Sequence, residues 1–185
     1  MDFSDQQLVN DYLKGDENSL EVLIKRYLKP IYSFVFRYVG NSQEAEDITQ
    51  EVFIKIWRHL KKFDQNRSFK TWIFSIAKNT CIDTFKKKKA IPFSKLEDEE
   101  GRNLFLEKLV DTTPLPDALF ERADLVRTLT SAIEKLLPKY RMVLFLRYND
   151  HFTFREIAET LEMPLQTVKS QHRRALIKLK KLLSN

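Results

Sequence analysis

Residues 153–182 constrain this chain most, because their pattern predicts two helices joined by a tight turn. Thr153 and Glu156 have the spacing of a capping box, which begins a helix. Pro164 cannot extend that helix and favours an extended residue before it, so residues 162–164 are expected to form the turn. The segment is therefore a candidate helix-turn-helix.

The second helix of this pair is predicted to have one aliphatic side and one basic side. The aliphatic side carries Val168, Ala175, Leu176, Leu179 and Leu183. The other side carries Gln166, Lys169, Ser170, Arg173, Arg174, Lys178 and Lys181. Arginine and lysine neutralise phosphates, while serine, glutamine and arginine near the N-terminal end can reach base edges in the major groove. This side suits duplex DNA, although a basic side of an ordinary bundle helix can simply face water.

Four more helices are predicted in the N-terminal half. Ser4 and Gln7 form a capping box for the first, which extends to about Lys14. The second is long and is expected to kink at Pro30. Its apolar positions recur at helical spacing at Leu20, Leu23, Ile24, Tyr27, Leu28, Ile31, Phe34, Val35 and Tyr38.

The third and fourth helices follow the sequence Gly40-Asn41-Ser42, which is expected to end the second helix and begin the third. The third is expected to bury Ala45, Ile48, Val52, Phe53, Ile56 and Leu60. The fourth runs from Phe69 into the lysine cluster at residues 86–89. No segment here alternates like a strand over a full strand length, so the predicted fold class is all-α.

Two helices are also predicted just before the helix-turn-helix. The first is amphipathic, with Leu125, Leu129, Ile133 and Leu136 on one side. Pro138 begins the second, which continues through Val143, Leu144 and Phe145.

Composition and charge narrow the class of protein. A chain of 185 residues has room for one or two small domains. It has no apolar run of about 18 residues and no apolar signal segment, so a cytoplasmic protein without membrane insertion is expected. The single cysteine, Cys81, is expected to be packed, as is His172, which lies toward the apolar side of its helix. The three histidines are scattered along the chain, so no metal site is expected.

Residues 95–117 separate two basic parts of the chain. They contain seven acidic and three basic side chains, with Gly101, Pro114 and Pro116, and their apolar periodicity is weak. This composition predicts a linker, with a short helix over residues 104–110.

Two further surfaces are candidates for binding. Asp47, Gln50 and Glu51 share one exposed side of the third helix, which would suit a basic partner helix or would simply face water. The loop before the fourth helix and that helix combine rings with cations and amides, at Phe63, Arg67, Phe69, Lys70, Trp72, Lys78, Asn79, Lys86 and Lys87. Such a combination holds single-stranded DNA, because bases stack on rings and cations follow phosphates. Phe69 and Trp72 also have core spacing, as do Ile73 and Ile76.

The helix-turn-helix resembles region 4 of bacterial sigma factors. The match comprises Glu156-Ile157-Ala158, Leu161, Pro164, Thr167-Val168-Lys169-Ser170 and Arg174-Ala175-Leu176. Glu162 and Gln166 stand where that family often has glycine. Residues 44–62 and 63–85 are similar to regions 2.2 and 2.3 of the extracytoplasmic-function (ECF) sigma factors, through the D-x-x-Q-E-x-F, F-x-x-W and I-A-x-N patterns.

The resemblance implies two helical domains and no catalysis. Residues 1–92 would form a region 2 domain, residues 93–117 an acidic linker, and residues 118–185 a region 4 domain. The protein would bind core RNA polymerase and direct promoter-specific initiation, without a cofactor, a metal or a small-molecule substrate. Its expected partners are the β′ clamp helices, the β flap, promoter DNA and an anti-sigma factor.

The resemblance also assigns residues to each partner. Core polymerase would be bound by Asp47, Gln50 and Glu51. The melted -10 element would be bound by Arg67, Ser68, Phe69, Lys78, Asn79, Lys86 and Lys87. The -35 duplex would be bound by Arg155, Gln166, Thr167, Lys169, Ser170, Arg173, Arg174 and Lys178.

Three other classes of protein are also compatible with these motifs. A stand-alone helix-turn-helix regulator would bind duplex DNA as a symmetric dimer. A DNA-cutting or recombining enzyme would need a nucleophilic serine or tyrosine, or a metal carboxylate cluster, near arginines. An inactive adaptor would only hold a partner protein.

Overall fold

A computed structural model describes residues 3–89 and 127–184, with the backbone alone for residues 85–89. Every regular element within these ranges is helical, which confirms the all-α prediction. The chain divides into two compact units, and each is described by itself. The predicted linker, its short helix and Leu125 lie outside the described residues.

The first unit contains four α-helices and a short 3₁₀ turn. These elements are α1 (Asp5–Leu13), α2 (Glu17–Val39), α3 (Ser42–His59), the 3₁₀ turn Leu60–Lys62, and α4 (Phe69–Lys89). The capping box of α1 forms as predicted, because Ser4 and Gln7 each accept a hydrogen bond from the other's backbone N–H.

The boundary between α2 and α3 also follows from local residues. α2 continues through Pro30 and ends at Gly40, which has a φ of 79° that glycine adopts without steric cost. The side chain of Asn41 then caps α3 by accepting a hydrogen bond from the N–H of Glu44.

The core of the first unit lies between α2, α3 and α4. Its buried side chains include Leu23, Ile31, Phe34, Val35, Ala45, Ile48, Val52, Ile56, Ile73, Phe74, Ala77 and Cys81. Phe34 and Phe74 meet edge to face with ring centroids 5.3 Å apart. Cys81 is packed as predicted, and burial raises the pKa of its thiol to about 12.

Two positions of this core differ from the prediction. Leu28 is exposed and Phe36 is buried, because α2 is contacted by α1, α3 and α4 and therefore buries a side wider than a single apolar stripe. Phe53 is only half-buried.

The second unit is built around the last helix. Its described elements are α5 (helical residues 127–134), α6 (Pro138–Leu144), a π-helical turn (Phe145–Asn149), α7 (Phe154–Leu161) and α8 (Leu165–Leu183). Pro138 occupies the first turn of α6, where its missing N–H costs no hydrogen bond. α8 packs on α6, with Leu136, Tyr140, Leu144 and Ala175 buried together and Leu179 beside them.

The helix predicted from Leu125 to Leu136 buries a different set of side chains from the one expected. Leu136 is buried, but Leu129 is exposed and Ala132 takes a buried position instead. Among residues 3–89 and 127–184, no helix has both the length and the apolar character needed to cross a membrane.

His151 has a strained backbone, which supplies a test of this fold. Its φ is 55°, in the left-handed region that costs a side-chain-bearing residue about 1–2 kcal/mol. We expect His151→Gly to raise the free energy of unfolding by up to about 1 kcal/mol, after the greater freedom of glycine in the unfolded chain is subtracted. Hydrogen exchange of α6 and α8 amides would measure the change in this unit alone.

The matched control is His151→Ala, which removes the imidazole but keeps a Cβ atom in the left-handed region. This variant should not gain stability. Equal stabilisation by alanine and glycine would show that the imidazole, and not backbone strain, is responsible.

Candidate nucleic-acid interface

The turn between α7 and α8 is fixed by local hydrogen bonds. At the start of α7, the N–H of Thr153 donates to Glu156 Oε2 at 2.6 Å and the N–H of Glu156 donates to Thr153 Oγ1 at 3.2 Å. This is the predicted capping box. At its end, the N–H of Met163 donates to the carbonyl of Ala158 at 2.9 Å.

Glu162 provides the left-handed residue that this turn needs. Its φ is 54°, and its N–H donates to the carbonyl of Glu159 at 3.2 Å. Together with the Met163–Ala158 bond, this is a Schellman motif, which glycine usually completes. The turn therefore forms in the usual way although glutamate replaces the expected glycine.

α8 presents its basic side away from the core. Val168, Gln171 and Ala175 are buried along one side of the helix. The side chains predicted to contact the -35 duplex are exposed at Arg155, Gln166, Lys169, Ser170, Arg173, Arg174 and Lys178, with Thr167 half-buried. Gln166 to Arg174 extends over about 12 Å of helix, which fits the width of a major groove.

The predicted aliphatic side of α8 is partly wrong. Leu176 is 40% exposed and Leu183 is 43% exposed, whereas Gln171 is buried. The packing of Ala175 and Leu179 on α6 sets the rotation of the helix, and it turns Leu176 towards solvent.

His172 holds α8 against the π-helical turn. Its Nε2 lies 3.0 Å from the hydroxyl of Tyr148, and its ring meets the ring of Phe154 at 5.0 Å. The guanidinium of Arg147 lies 5.0 Å from the centre of the same Phe154 ring. Partial burial, and secondly the charge of Arg147, lower the pKa of His172. Its contacts with Tyr148 and Phe154 make it a packed histidine, as the sequence predicted.

The polar loop of the first unit stands on an aromatic cluster. Residues 64–68 are exposed, while Phe63 and Phe69 at its two ends are buried. Phe69 contacts Phe63 at 5.6 Å, Trp72 at 5.7 Å and Tyr27 at 5.7 Å between ring centroids. The loop therefore has rigid support beneath it.

The loop is also ordered by its own polar groups. Asp64 Oδ1 accepts hydrogen bonds from the backbone N–H and the side-chain amide of Asn66, both at 3.0 Å. Ser68 Oγ accepts from the N–H of Thr71 and so caps α4. The exposed side chains of Arg67 and Ser68 project from this fixed backbone.

The other residues predicted for the -10 element occupy different places. Phe69 is 2% exposed, so its ring can support the loop but is not available to stack on a base. Asn79 lies further along α4 and is exposed, whereas Lys78 beside it is only 5% exposed and does not present its ammonium to a DNA strand. Lys86 and Lys87 belong to the last turns of α4, where only the backbone is described.

The predicted acidic surface lies on α3. Asp47 and Gln50 are exposed, and half-buried Glu51 pairs with Lys55 at 2.8 Å. Lys55 also donates to Thr80 Oγ1 of α4 at 3.1 Å, which fixes its position.

Two apolar residues missed by the sequence interpretation continue this surface. Ile54 is 47% exposed and Trp57 is 57% exposed, one and two turns beyond Gln50 on the same helix. Trp57 also lines a groove of about 330 Å³ with Tyr12, Glu17, Leu20, Glu21 and Ile24. Ile54 and Trp57 lie at helical spacing from Gln50, which indicates that all three share one side of α3. Large apolar residues of a buried helix side have the same spacing, so the pattern alone does not show that these two are exposed.

An exposed basic helix in one unit and a supported polar loop in the other define a two-unit DNA-binding protein. Two family models match the same parts of the chain. The model described as sigma-70 region 2 matches residues 23–91, and the model described as sigma-70, region 4 matches residues 127–179.

Relatives match nearly the whole chain. The ECF RNA polymerase sigma factor SigW of Bacillus subtilis (strain 168) is 34% identical over 185 residues, which are 99% of this chain and 98% of that protein. The ECF RNA polymerase sigma-E factor of Escherichia coli (strain K12) is 32% identical over 173 residues, 93% of this chain and 90% of that protein.

Solved structures agree in fold. CnrH, in complex with the cytosolic domain of CnrY, has a TM-score of 0.66 at 22% identity, over 97% of each chain. RpoE of Bartonella quintana, in complex with the anti-sigma factor NepR, has a TM-score of 0.63 at 18% identity, over 89% of this chain and 96% of that one.

The chain belongs to the sigma-70 family and is a promoter-recognising sigma factor of the ECF type. The stand-alone regulator, the alternative closest to this function, is not favoured, because both sigma regions are present in one chain.

Proposed function

We propose that the two units divide promoter recognition, with α8 binding the -35 duplex and the loop 64–68 binding the melted -10 strand. The observation that carries this proposal is the exposure of Lys169, Ser170, Arg173 and Arg174 on one side of α8, opposite buried Val168. In a helix-turn-helix, the start of the second helix enters the major groove, where such a row of cations and hydrogen-bonding groups contacts phosphates and base edges.

The residues of α8 would contribute in two ways. Gln166, Lys169, Ser170 and Arg173 to Arg174 lie in the N-terminal half, where side chains reach base edges. Lys178 lies one turn later, with its ammonium 5.5 Å from the ring of Tyr140, and would contact a phosphate. Arg155 and Thr167 would contact the DNA backbone and so position the helix-turn-helix on the duplex.

The loop of the first unit would hold an unstacked base. Its exposed polar side chains can hydrogen-bond a base edge, and Ser68 and Arg67 are the principal candidates. Asn79, Lys86 and Lys87 would follow the strand along α4, whereas buried Lys78 would not contact it directly. Phe69 would support the loop from the core instead of stacking on DNA.

Core polymerase would bind the exposed side of α3. Asp47, Gln50 and Glu51 supply negative charge and hydrogen-bond acceptors for the basic β′ clamp helices. Ile54 and Trp57 add exposed apolar area next to them, and tryptophan is typical of the residues that contribute most to binding. The second unit would contact the β flap.

We also propose an anti-sigma partner and a cytoplasmic site of action. Support for the partner comes from CnrH and RpoE, whose structures are complexes with CnrY and with the anti-sigma factor NepR. The location follows from core polymerase and promoter DNA, which bacteria keep in the cytoplasm. The chain would act without a cofactor and without catalysis of its own, through a region 2 domain at residues 1–92 and a region 4 domain at residues 118–185 joined by the linker 93–117.

Splitting the chain at Glu100 would test the division of work. We expect the first half to prefer the -10 single strand over a scrambled strand by about tenfold or more, because base contacts contribute about 1–3 kcal/mol each. The second half should bind the -35 duplex and be indifferent to single strands. Fluorescence anisotropy with labelled oligonucleotides measures both preferences.

Equal preference of both halves for plain duplex would contradict this proposal. It would favour a stand-alone regulator and remove the -10 assignment of residues 63–87. Circular dichroism of each half is the control, because each must remain helical for the comparison to hold.

A further inference from the structure

We infer that Gln6 of α1 is a positioning residue for the loop 64–68 and thereby determines how strictly the -10 sequence is selected. The inference rests on the proposed binding of the -10 strand by this loop. Gln6 lies about sixty positions before the loop and belongs to none of the surfaces described above.

The evidence is a pair of hydrogen bonds from one side chain. Gln6 Nε2 donates to the carbonyl of Gln65 at 3.0 Å and to the carbonyl of Arg67 at 2.9 Å. A primary amide has two N–H groups, and here both are used on the same short loop. The two carbonyls flank Asn66, so this contact fixes the backbone on both sides of the loop's tip.

α1 can serve as a reference point because it is itself anchored to α2. Arg26 Nη1 donates to Asp5 Oδ1 at 2.6 Å, and the hydroxyl of Tyr27 donates to the other carboxylate oxygen. Arg26 Nη2 also donates to the carbonyl of Phe3 at 2.8 Å. Asp5 and Gln6 are adjacent, so the anchored residue directly precedes the one that holds the loop.

The same frame continues under the loop. The ring of Tyr27 meets the ring of Phe69 at 5.7 Å, and Phe69 begins α4 directly after the loop. Burial, and secondly the hydrogen bond to Asp5, raise the pKa of Tyr27, so this phenol stays protonated and remains a donor. The loop is thus held from beneath by rings and from the side by Gln6.

A held loop favours selectivity. If the backbone at Gln65 and Arg67 were free to move, the exposed Arg67 and Ser68 side chains could adapt to several bases. The free energy needed to order these side chains on DNA binding would then be subtracted from the affinity. This cost weakens the complex with the preferred -10 sequence most, because that complex needs the most exact placement of the side chains. Loss of the Gln6 contact should therefore reduce discrimination among -10 sequences more than it reduces binding in general.

The test uses the full chain with core polymerase and a promoter library randomised at the -10 and -35 elements. Transcripts are sequenced for the wild-type chain and for Gln6→Ala and Gln6→Glu. We expect Gln6→Ala to lower selectivity at the -10 positions about tenfold, which corresponds to two ordinary hydrogen bonds, while selectivity at -35 is unchanged. Gln6→Glu should lose more than Gln6→Ala, because its acceptor-only carboxylate would be repelled by the two carbonyl oxygens that Gln6 now contacts.

Gln7→Ala is the matched control. Gln7 is the neighbouring glutamine, and its side chain accepts a hydrogen bond from the N–H of Ser4 at 2.9 Å to cap α1. Its removal loosens the start of α1 but leaves the bonds to the loop, so both selectivities should remain at the wild-type level.

The outcomes separate this inference from the function on which it rests. Wild-type -10 selectivity in Gln6→Ala, or an equal loss in Gln7→Ala, would overturn the role of Gln6 alone. A wild-type chain that selects -35 but no -10 sequence would overturn the loop assignment and this inference together.

Discussion

Changing Asp47 and Glu51 to lysine together is expected to abolish association with core RNA polymerase and to leave the helical fold intact. Both residues lie on the solvent side of α3, above the buried stripe of Ile48 and Val52. If the partner helix is basic, the reversal replaces two attractions with two repulsions, which at a close interface costs several kcal/mol. A loss of about a hundredfold or more in affinity follows.

The fold should survive because little internal energy depends on either residue. The ion pair between Glu51 and Lys55 is partly exposed and contributes about 1 kcal/mol or less. Circular dichroism would check the helical content, and titration of labelled chain with core enzyme would measure the affinity. The matched control is Asp11→Lys with Asp83→Lys, which changes the net charge equally at other sites of the first unit.

If the folded double variant binds core polymerase with wild-type affinity, this side of α3 is not part of the polymerase interface. An equal loss in the control would show that overall charge, and not this surface, governs association.

Features set by neighbouring residues were predictable from the sequence. The capping boxes at Ser4 and Thr153, the helix end at Gly40 and the start of α6 at Pro138 each depend on residues a few positions apart. Their hydrogen bonds form whatever the rest of the chain does. For this reason the order of the described α-helices agrees with the sequence interpretation, whereas the 3₁₀ turn Leu60–Lys62 and the π-helical turn Phe145–Asn149 were not predicted.

Features set by packing between helices were less predictable. The rotation of α8 depends on Tyr140 and Leu144 of α6, which no pattern within α8 records, and so Leu176 was placed on the wrong side. Phe69 had both core spacing and the chemistry of a DNA contact, and only the neighbouring rings decide between them. The bonds from Gln6 to the loop connect distant positions and have no signal in the spacing of residues.

Within the proposed -35 interface, Arg174→Ala and Lys178→Ala are expected to have different effects. Arg174 lies in the N-terminal half of α8, exposed beside buried Ala175. If it makes a bidentate contact with a guanine, its loss should cost about 1–3 kcal/mol on the preferred site and relax selection at one base position. Binding to unrelated duplex should change much less.

Lys178→Ala should weaken binding to every duplex alike. A phosphate contact releases counterions whatever the sequence, so its loss should lower the slope of log affinity against log salt by about one unit. Lys135→Ala is the matched control, because Lys135 is exposed in the same unit but lies before α6, outside the helix-turn-helix. It removes the same charge and should leave the slope nearly unchanged.

Measuring both quantities for each variant distinguishes base contacts from phosphate contacts, because only a base contact changes the ranking of sequences. The experiment is a titration of the complete chain with preferred and scrambled -35 duplexes at several salt concentrations. If Arg174→Ala leaves the ranking of sequences as it was, α8 does not select bases through this residue. If Lys135→Ala lowers the slope as much as Lys178→Ala, the second unit attracts DNA through its total charge, and the orientation of the basic side of α8 would no longer matter for affinity.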